Sequence, residues 1–298
     1  MIEIENKILL YQNRYHFSKI NGILTKLNIP YAIVKGESLS ILAYGKEGKR
    51  SSKDIDFLVS RSDLKFIEEI LDKMGYFQRT LSRELRIMML SHSHQTLPCY
   101  NSKYNLFIDI NFDVFWGEYE GKRIDIEEFL SDTIEMEIYG VTVKTLPPIK
   151  AMIQLILHHY KDMNSIFLLA TRKSIKYDMF KDVYYLLKNN LDAIPLDKLY
   201  AMSAEYAIIP YVFYVLYYTG QVFDDEILKQ YIESFRTPEG ESLLNRYGLC
   251  TKERKEWKCD FQTRLEADNL YELIKDDLTE KDQEKITINK RIFMGETE

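Results

Sequence analysis

Two short runs, Tyr31-Ala-Ile-Val-Lys-Gly36 and Asp54-Ile-Asp-Phe-Leu-Val59, decide how this chain reads. Each carries four to six mostly apolar residues, too few for a helix, so each reads as a buried strand. Pro30 and Gly36 bracket the first, and a polar loop, Gly45-Lys-Glu-Gly-Lys-Arg-Ser-Ser-Lys53, leads into the second. Between them Ser38 to Tyr44 reads as a helix, with Leu39, Ile41, Leu42 and Tyr44 as packing residues. In the second strand Asp54 and Asp56 stand two apart. Their carboxylates therefore leave one face while Ile55 and Phe57 turn to a core. Two converging carboxylates suit one or two Mg²⁺ ions, which want carboxylate and phosphate oxygens. The plainer alternative is a solvated strand end, because Asp-x-Asp is common by chance.

Outward from this pair, Glu5 to Leu27 has apolar residues at helical intervals, and Asp63 to Met74 is amphipathic, with Ser60 or Ser62 at its start and Gly75 at its end. Arg86 to Leu97 and Leu106 to Phe115 read as β-rich, joined through the polar turn Asn101 to Asn105, and Ile134 to Thr145 reads as a hairpin turning at Gly140. The run Leu106-Phe-Ile-Asp-Ile110 supplies a third carboxylate, Asp109, with apolar flanks that place it inside a strand; Asp113 competes for that role. After Pro147-Pro148 the pattern becomes helical: Ile149 to Asp162, Tyr177 to Lys188, Leu196 to Ile208, Asp224 to Phe235 and Phe261 to Leu278. No β-rich region returns, and the charged tail from Thr279 reads as loose. The expectation is an α+β protein: residues 1–146 form a small mixed β-sheet flanked by helices, and residues 147–298 form a helical C-terminal domain.

The bulk numbers narrow the classes. Hydrophobic residues at 46% and charged residues at 29% of 298 describe a globular chain. A net charge of −6 argues against a protein that coats nucleic acid. Cys99, Cys250 and Cys259 make no CxxC pair, which excludes a disulfide framework and suits a reducing cytoplasm. The opening MIEIENKILL lacks a signal-peptide layout, and no apolar run approaches the roughly 20 residues of a membrane span. There is no Gly-x-Ser-x-Gly elbow, P-loop or dinucleotide fingerprint.

Lys35-Gly36, Tyr44, Arg50 and Asp54-Ile-Asp56 together resemble the uncharacterised nucleotidyltransferase family of the polymerase-β-like nucleotidyltransferase superfamily. In that family a strand ends in Lys-Gly. A Tyr stands eight residues after the Gly, an Arg fourteen after, and Asp-Ile-Asp begins eighteen after; each spacing is met here. The resemblance covers about residues 30 to 190. It extends to Ile108-Asp109-Ile110-Asn111, with Asn111 where a His is usual, and to Leu157-His158-His159-Tyr160-Lys161, with Asp162 where a second His is usual. Glu37 also departs, standing after Gly36 where many relatives carry Gly or Ser.

The resemblance implies a nucleotidyltransferase core. It implies catalytic and metal-binding roles for Asp54, Asp56 and Asp109 toward Mg²⁺, with Mn²⁺ as the alternative ion. A nucleoside triphosphate would give its monophosphate to an acceptor hydroxyl and release pyrophosphate. The acceptor would be a small molecule, peptide or protein, favoured over RNA by the acidic charge. Nucleotide-binding roles fall to Lys35, Gly36, Ser38, Arg50 and Lys161. Gly36 allows close backbone approach to phosphate at a helix N-terminus, and Arg50 offers a bidentate guanidinium, whereas Lys46, Lys49 and Lys53 read as a solvated loop face. Lys35 reads equally as a phosphate ligand or the partner of an acid, and Lys161 as a nucleotide ligand or an exposed helix lysine. His92 and His94 alternate as in a strand but lack a third ligand nearby. His158 and His159 are adjacent on a helix and read as diverging. The three departures leave a second class open: a non-catalytic nucleotide-binding regulatory module or toxin–antitoxin component.

Overall fold

The two decisive runs occupy the middle of a sheet. Helix α1 (Ile2–Lys26) leads into β1 (Tyr31–Val34), α2 (Gly36–Tyr44), β2 (Asp54–Val59) and α3 (Leu64–Lys73). Helix α4 (Arg83–His92) follows, then β3 (Cys99–Asn101), β4 (Leu106–Asn111), the short α5 (Ile126–Phe129) and the hairpin β5 (Ile134–Ile138) and β6 (Val141–Thr145). This computed structural model describes residues 2–50, 54–116, 124–171 and 174–296, with side chains from residue 14 onward. Ser51, Ser52 and Lys53 of the cationic loop lie outside the described residues.

The six strands form one mixed sheet in the order β3-β4-β2-β1-β6-β5. β1 runs antiparallel to β2 and parallel to β6, and β2 runs parallel to β4. Every residue of β1 is buried, as a strand flanked on both edges requires. Ile55, Phe57, Ile108 and Ile110 supply the apolar face of β2 and β4, all 3% exposed or less. These elements other than α4, with the start of α6 (Pro148–Asn164), make one compact unit of an α+β fold.

The second unit contains α4, Phe115, Trp116, α6 from Met152 onward and everything after it. It comprises α7 (Ile166–Thr171), α8 (Tyr177–Lys188), α9 (Leu196–Glu205), α10 (Ile209–Val222), α11 (Glu226–Phe235) and α12 (Pro238–Leu244), then the ribbon of β7 (Arg246–Tyr247) and β8 (Lys255–Glu256), and finally α13 (Phe261–Glu266), α14 (Tyr271–Ile274) and α15 (Glu280–Phe293). Its core is aromatic: Tyr160 of α6 packs on Trp116, Tyr211 and Tyr214 at ring separations of 4.5–5.3 Å. Among the described residues no helix is long and apolar enough to cross a membrane.

Several expectations are corrected. Arg86 to His92 is helix, not strand, because Arg, Met and Leu outnumber β-branched residues there and Ser82 accepts from the Leu85 amide at the helix start. His92 thus ends a helix, its Nδ1 against the Met88 carbonyl, and the proposed His92–His94 strand alternation does not exist. The strand moves on to Cys99–Asn101, pairing antiparallel to β4. The tail is ordered: Thr279 and Asp282 close a reciprocal capping box that starts α15. The single helix read over 261–278 breaks at Ala267 into α13 and α14, and the β7–β8 ribbon went unforeseen.

Candidate active site

Register brings the acids together. In the parallel ladder of β2 and β4, Asp54 faces Phe107, Asp56 faces Asp109 and Leu58 faces Asn111. Side chains two apart share a face, and ladder neighbours lie about 4.8 Å apart. Asp54, Asp56 and Asp109 therefore occupy adjacent positions on one face. Asp113 lies beyond the end of β4, its amide donating to the His94 carbonyl, so the register selects Asp109 over Asp113 as the neighbour of Asp56.

Asp56 is the buried centre of the group, and half-buried Asp54 and Asp109 flank it. Its Oδ1 accepts from the Lys35 ammonium at 2.8 Å and from the Asn111 amide nitrogen at 3.2 Å. Asn111 also donates to the Phe57 carbonyl at 3.3 Å. Sequence reading treated Asn111 as a departure from a pattern and missed this role; its place two residues after Asp109 on the same face was the available signal. The Asn111 Oδ1 is buried with no hydrogen-bond donor among the described residues.

The turn from β1 into α2 sits beside these acids, because Val34 pairs with Asp56 and the chain then continues toward the Asp54 end of β2. Lys35 has φ 57° and ψ −146°, and Gly36 has φ 39°. The Lys35 conformation belongs to a region populated almost only by glycine, and residues held there cluster at functional sites. Its carbonyl accepts from the Ser38 hydroxyl at 2.8 Å and the Leu39 amide at 2.9 Å, which pins the turn. Ser38 is thus engaged with backbone. Glu37 turns toward the loop, where its carboxylate accepts from the Gly48 amide at 2.8 Å. Arg50 is half-buried, four residues before Asp54. Of the two readings of Lys35, pairing with an acid is the one the structure contains.

Three carboxylates on one face are the ligand type Mg²⁺ prefers, and an ammonium stands against the central one at 2.8 Å; the group of described residues whose ligand atoms already lie within 4.8 Å of one another is a different one, on α6. On the β4 and β3 side the same face becomes aromatic. Phe107 stacks on its ladder partner Tyr100 at 4.6 Å, and Phe77 bridges to Tyr100 in turn. Phe77 and Phe107 are 60% and 40% exposed.

Lys161 lies in the second unit, buried on α6. Its ammonium is 3.3 Å from Asp162 Oδ1 and 3.4 Å from His158 Nδ1. His158, His159 and Asp162 bring ligand atoms within 4.8 Å of one another, against the expectation that the histidines diverge. Residues i, i+1 and i+4 span only about 100° of helix arc, with Asp162 between the two rings. A cation, Lys161, already serves this cluster.

A family model described as "Uncharacterised nucleotidyltransferase" matches residues 6–224. No curated protein matches the sequence. A solved structure, that of an antigenic nucleotidyltransferase-like protein from Paracoccidioides brasiliensis, is similar at 15% identity over 62% of this chain and 90% of that one, with a TM-score of 0.31. That likeness is too distant to bear on the chemistry.

Proposed function

Since the chain belongs to the uncharacterised nucleotidyltransferase family, we propose that it moves a nucleoside monophosphate from a nucleoside triphosphate to an acceptor hydroxyl. The observation that carries this reading is the register of Asp56 against Asp109 with Asp54 on the same face. Asp54, Asp56 and Asp109 would hold Mg²⁺ or Mn²⁺, which supplies neutralising charge for the triphosphate and the leaving pyrophosphate. Asp109, on the strand nearest the aromatic row, takes the proton of the acceptor hydroxyl. That oxygen bonds to the α-phosphorus as the bond to the β-phosphate oxygen breaks, and pyrophosphate leaves. The N-terminus of α2 at Gly36 offers backbone amides to phosphate, with Arg50 and Lys35 as cationic partners. Ser38 holds the turn in shape.

Phe77, Tyr100 and Phe107 would lie on the acceptor side, and the net charge of −6 favours a small molecule or peptide over RNA. The test is pyrophosphate release from each nucleoside triphosphate, with cell extract as acceptor source. Asp56→Asn should abolish turnover, and Asp109→Asn should slow it by about 10²–10⁴-fold. Unchanged transfer by either variant removes the mechanism. Nucleotide binding with no pyrophosphate released under any acceptor would make the protein a binding module.

A further inference from the structure

We propose that Lys35 is a resident cation that occupies the metal's electrostatic place in the ligand-free protein and is exchanged for it only when a triphosphate is present. The inference rests on the reading of Asp54, Asp56 and Asp109 as metal ligands and adds an order of events to it: metal and triphosphate bind as a coupled pair.

Three observations carry it. The Lys35 ammonium is 2.8 Å from Asp56 Oδ1, with the two side chains 8% and 4% exposed. A divalent ion approaching that carboxylate meets a positive charge already in place. The Lys35 backbone lies at φ 57° and ψ −146°, where glycine would sit without strain. A lysine held there points to a requirement for the ammonium and not for the turn alone. Finally, the backbone is pinned through Ser38 and Leu39 while the charge rides on four methylenes. The ammonium can change partners without moving the turn.

The charge balance explains the coupling. Metal alone must drive the ammonium off a buried carboxylate with no new anion to receive it. A triphosphate at the adjacent N-terminus of α2 supplies that anion, so metal takes the carboxylates while Lys35 takes phosphate oxygen. Linkage makes the effect reciprocal: triphosphate tightens metal, and metal tightens triphosphate to the same extent.

The test is Mn²⁺ binding to the full chain, read by electron paramagnetic resonance. It is run alone and with each of the four α,β-methylene ribonucleoside triphosphates, which cannot transfer. The wild type should bind Mn²⁺ weakly alone and at least about tenfold more tightly with a triphosphate analogue. Lys35→Met should bind Mn²⁺ alone at least about tenfold more tightly than wild type and lose most of the coupling. Lys35→Gly relieves the backbone and removes the charge, so it must behave likewise, and it serves if the methionine variant folds poorly. Equal Mn²⁺ affinity in wild type and both variants without nucleotide overturns the exchange, as does weaker binding in the variants. If no form binds Mn²⁺ under any condition, or if Asp56→Asn binds as wild type does, the assignment of the acids falls and the exchange with it.

Discussion

Replacing Asn111 with aspartate changes one atom in shape and reverses the chemistry around Asp56. Asn111 is 2% exposed and donates to Asp56 Oδ1 at 3.2 Å and to the Phe57 carbonyl at 3.3 Å. In Asn111→Asp an acceptor faces an acceptor. If both carboxylates stayed ionised, two unit charges about 3.2 Å apart would repel by about 5 kcal/mol at an effective dielectric of 20. Protonating one of them at pH 7 costs about 4 kcal/mol, from an ordinary aspartate pKa near 3.9 and about 1.4 kcal/mol per unit. Protonation is the smaller cost and wins, and the new hydroxyl then restores one donor toward Asp56. The Lys35 ammonium at 2.8 Å from Asp56 offsets part of this, so the variant should be up to about 4 kcal/mol less stable than wild type at pH 7. The sign of its pH dependence follows. The pair binds a proton in the folded state that the unfolded chain does not hold, so relative stability rises as pH falls. The deficit should shrink to about 1.5 kcal/mol at pH 5. Urea denaturation followed by circular dichroism at pH 5, 6 and 7 measures this directly. A deficit that is flat across the range, or absent, would refute the placement of Asn111 against Asp56.

Other consequences are simpler to check. Burial, and then the Lys19 charge, hold the His16 imidazole below its usual 6.5, and the ring sits against the Tyr76 hydroxyl. The unfolded chain takes up that proton first, so stability should decline as pH drops below 6.5, and His16→Gln should remove this component of the urea-midpoint profile. Burial pushes the Cys99 thiol up to about 12, so in native protein a thiol reagent should modify half-buried Cys250 and Cys259 and reach Cys99 only after denaturant is added. Gly248 has φ +104°, and a Cβ there would lie 2.5 Å from the Glu253 carbonyl oxygen. Gly248→Ala should cost at least about 2 kcal/mol, whereas Gly45→Ala, with positive φ but open space, should cost about 1 kcal/mol.

What sequence reading could reach was set by locality. The apolar runs of β1 and β2, the turn at Gly36, the hairpin at Gly140 and the twelve residues of α8 were legible because short-range pattern and turn chemistry determine them. Asp109 was preferred to Asp113 for its apolar flanks, but its place against Asp56 is a fact of long-range register that the flanks do not carry. Arg83–His92 was misread because its central Arg-Ile-Met-Met-Leu has no clean period, and propensity and the Ser82 cap decided the outcome. The α15 capping box was present in the sequence as Thr279-x-x-Asp282, and the charge of the tail obscured it. The positive φ of Lys35 had no sequence signal at all: a lysine beside a glycine points to the glycine as the unusual residue, and both are.

The acids and the core of the first unit share one constraint. In β2 and β4 the odd-numbered apolar residues of one strand, Ile55 and Phe57, pair with the even-numbered Ile108 and Ile110 of the other. A slip of one residue in β4 would carry Asp109 into the apolar face and expose Ile108 beside Asp56. Cys99, paired with Ile108 and 1% exposed, opposes that slip from the far side. The pairing that buries these side chains is thus the pairing that sets Asp109 against Asp56, and the free energy of burial holds two like charges side by side. Repulsion between them is moderated locally by Lys35 and Asn111. A site built this way needs no separate device to position its carboxylates: the sheet that folds the unit also aims them, and the strained lysine at the end of β1 supplies the charge that lets them remain there.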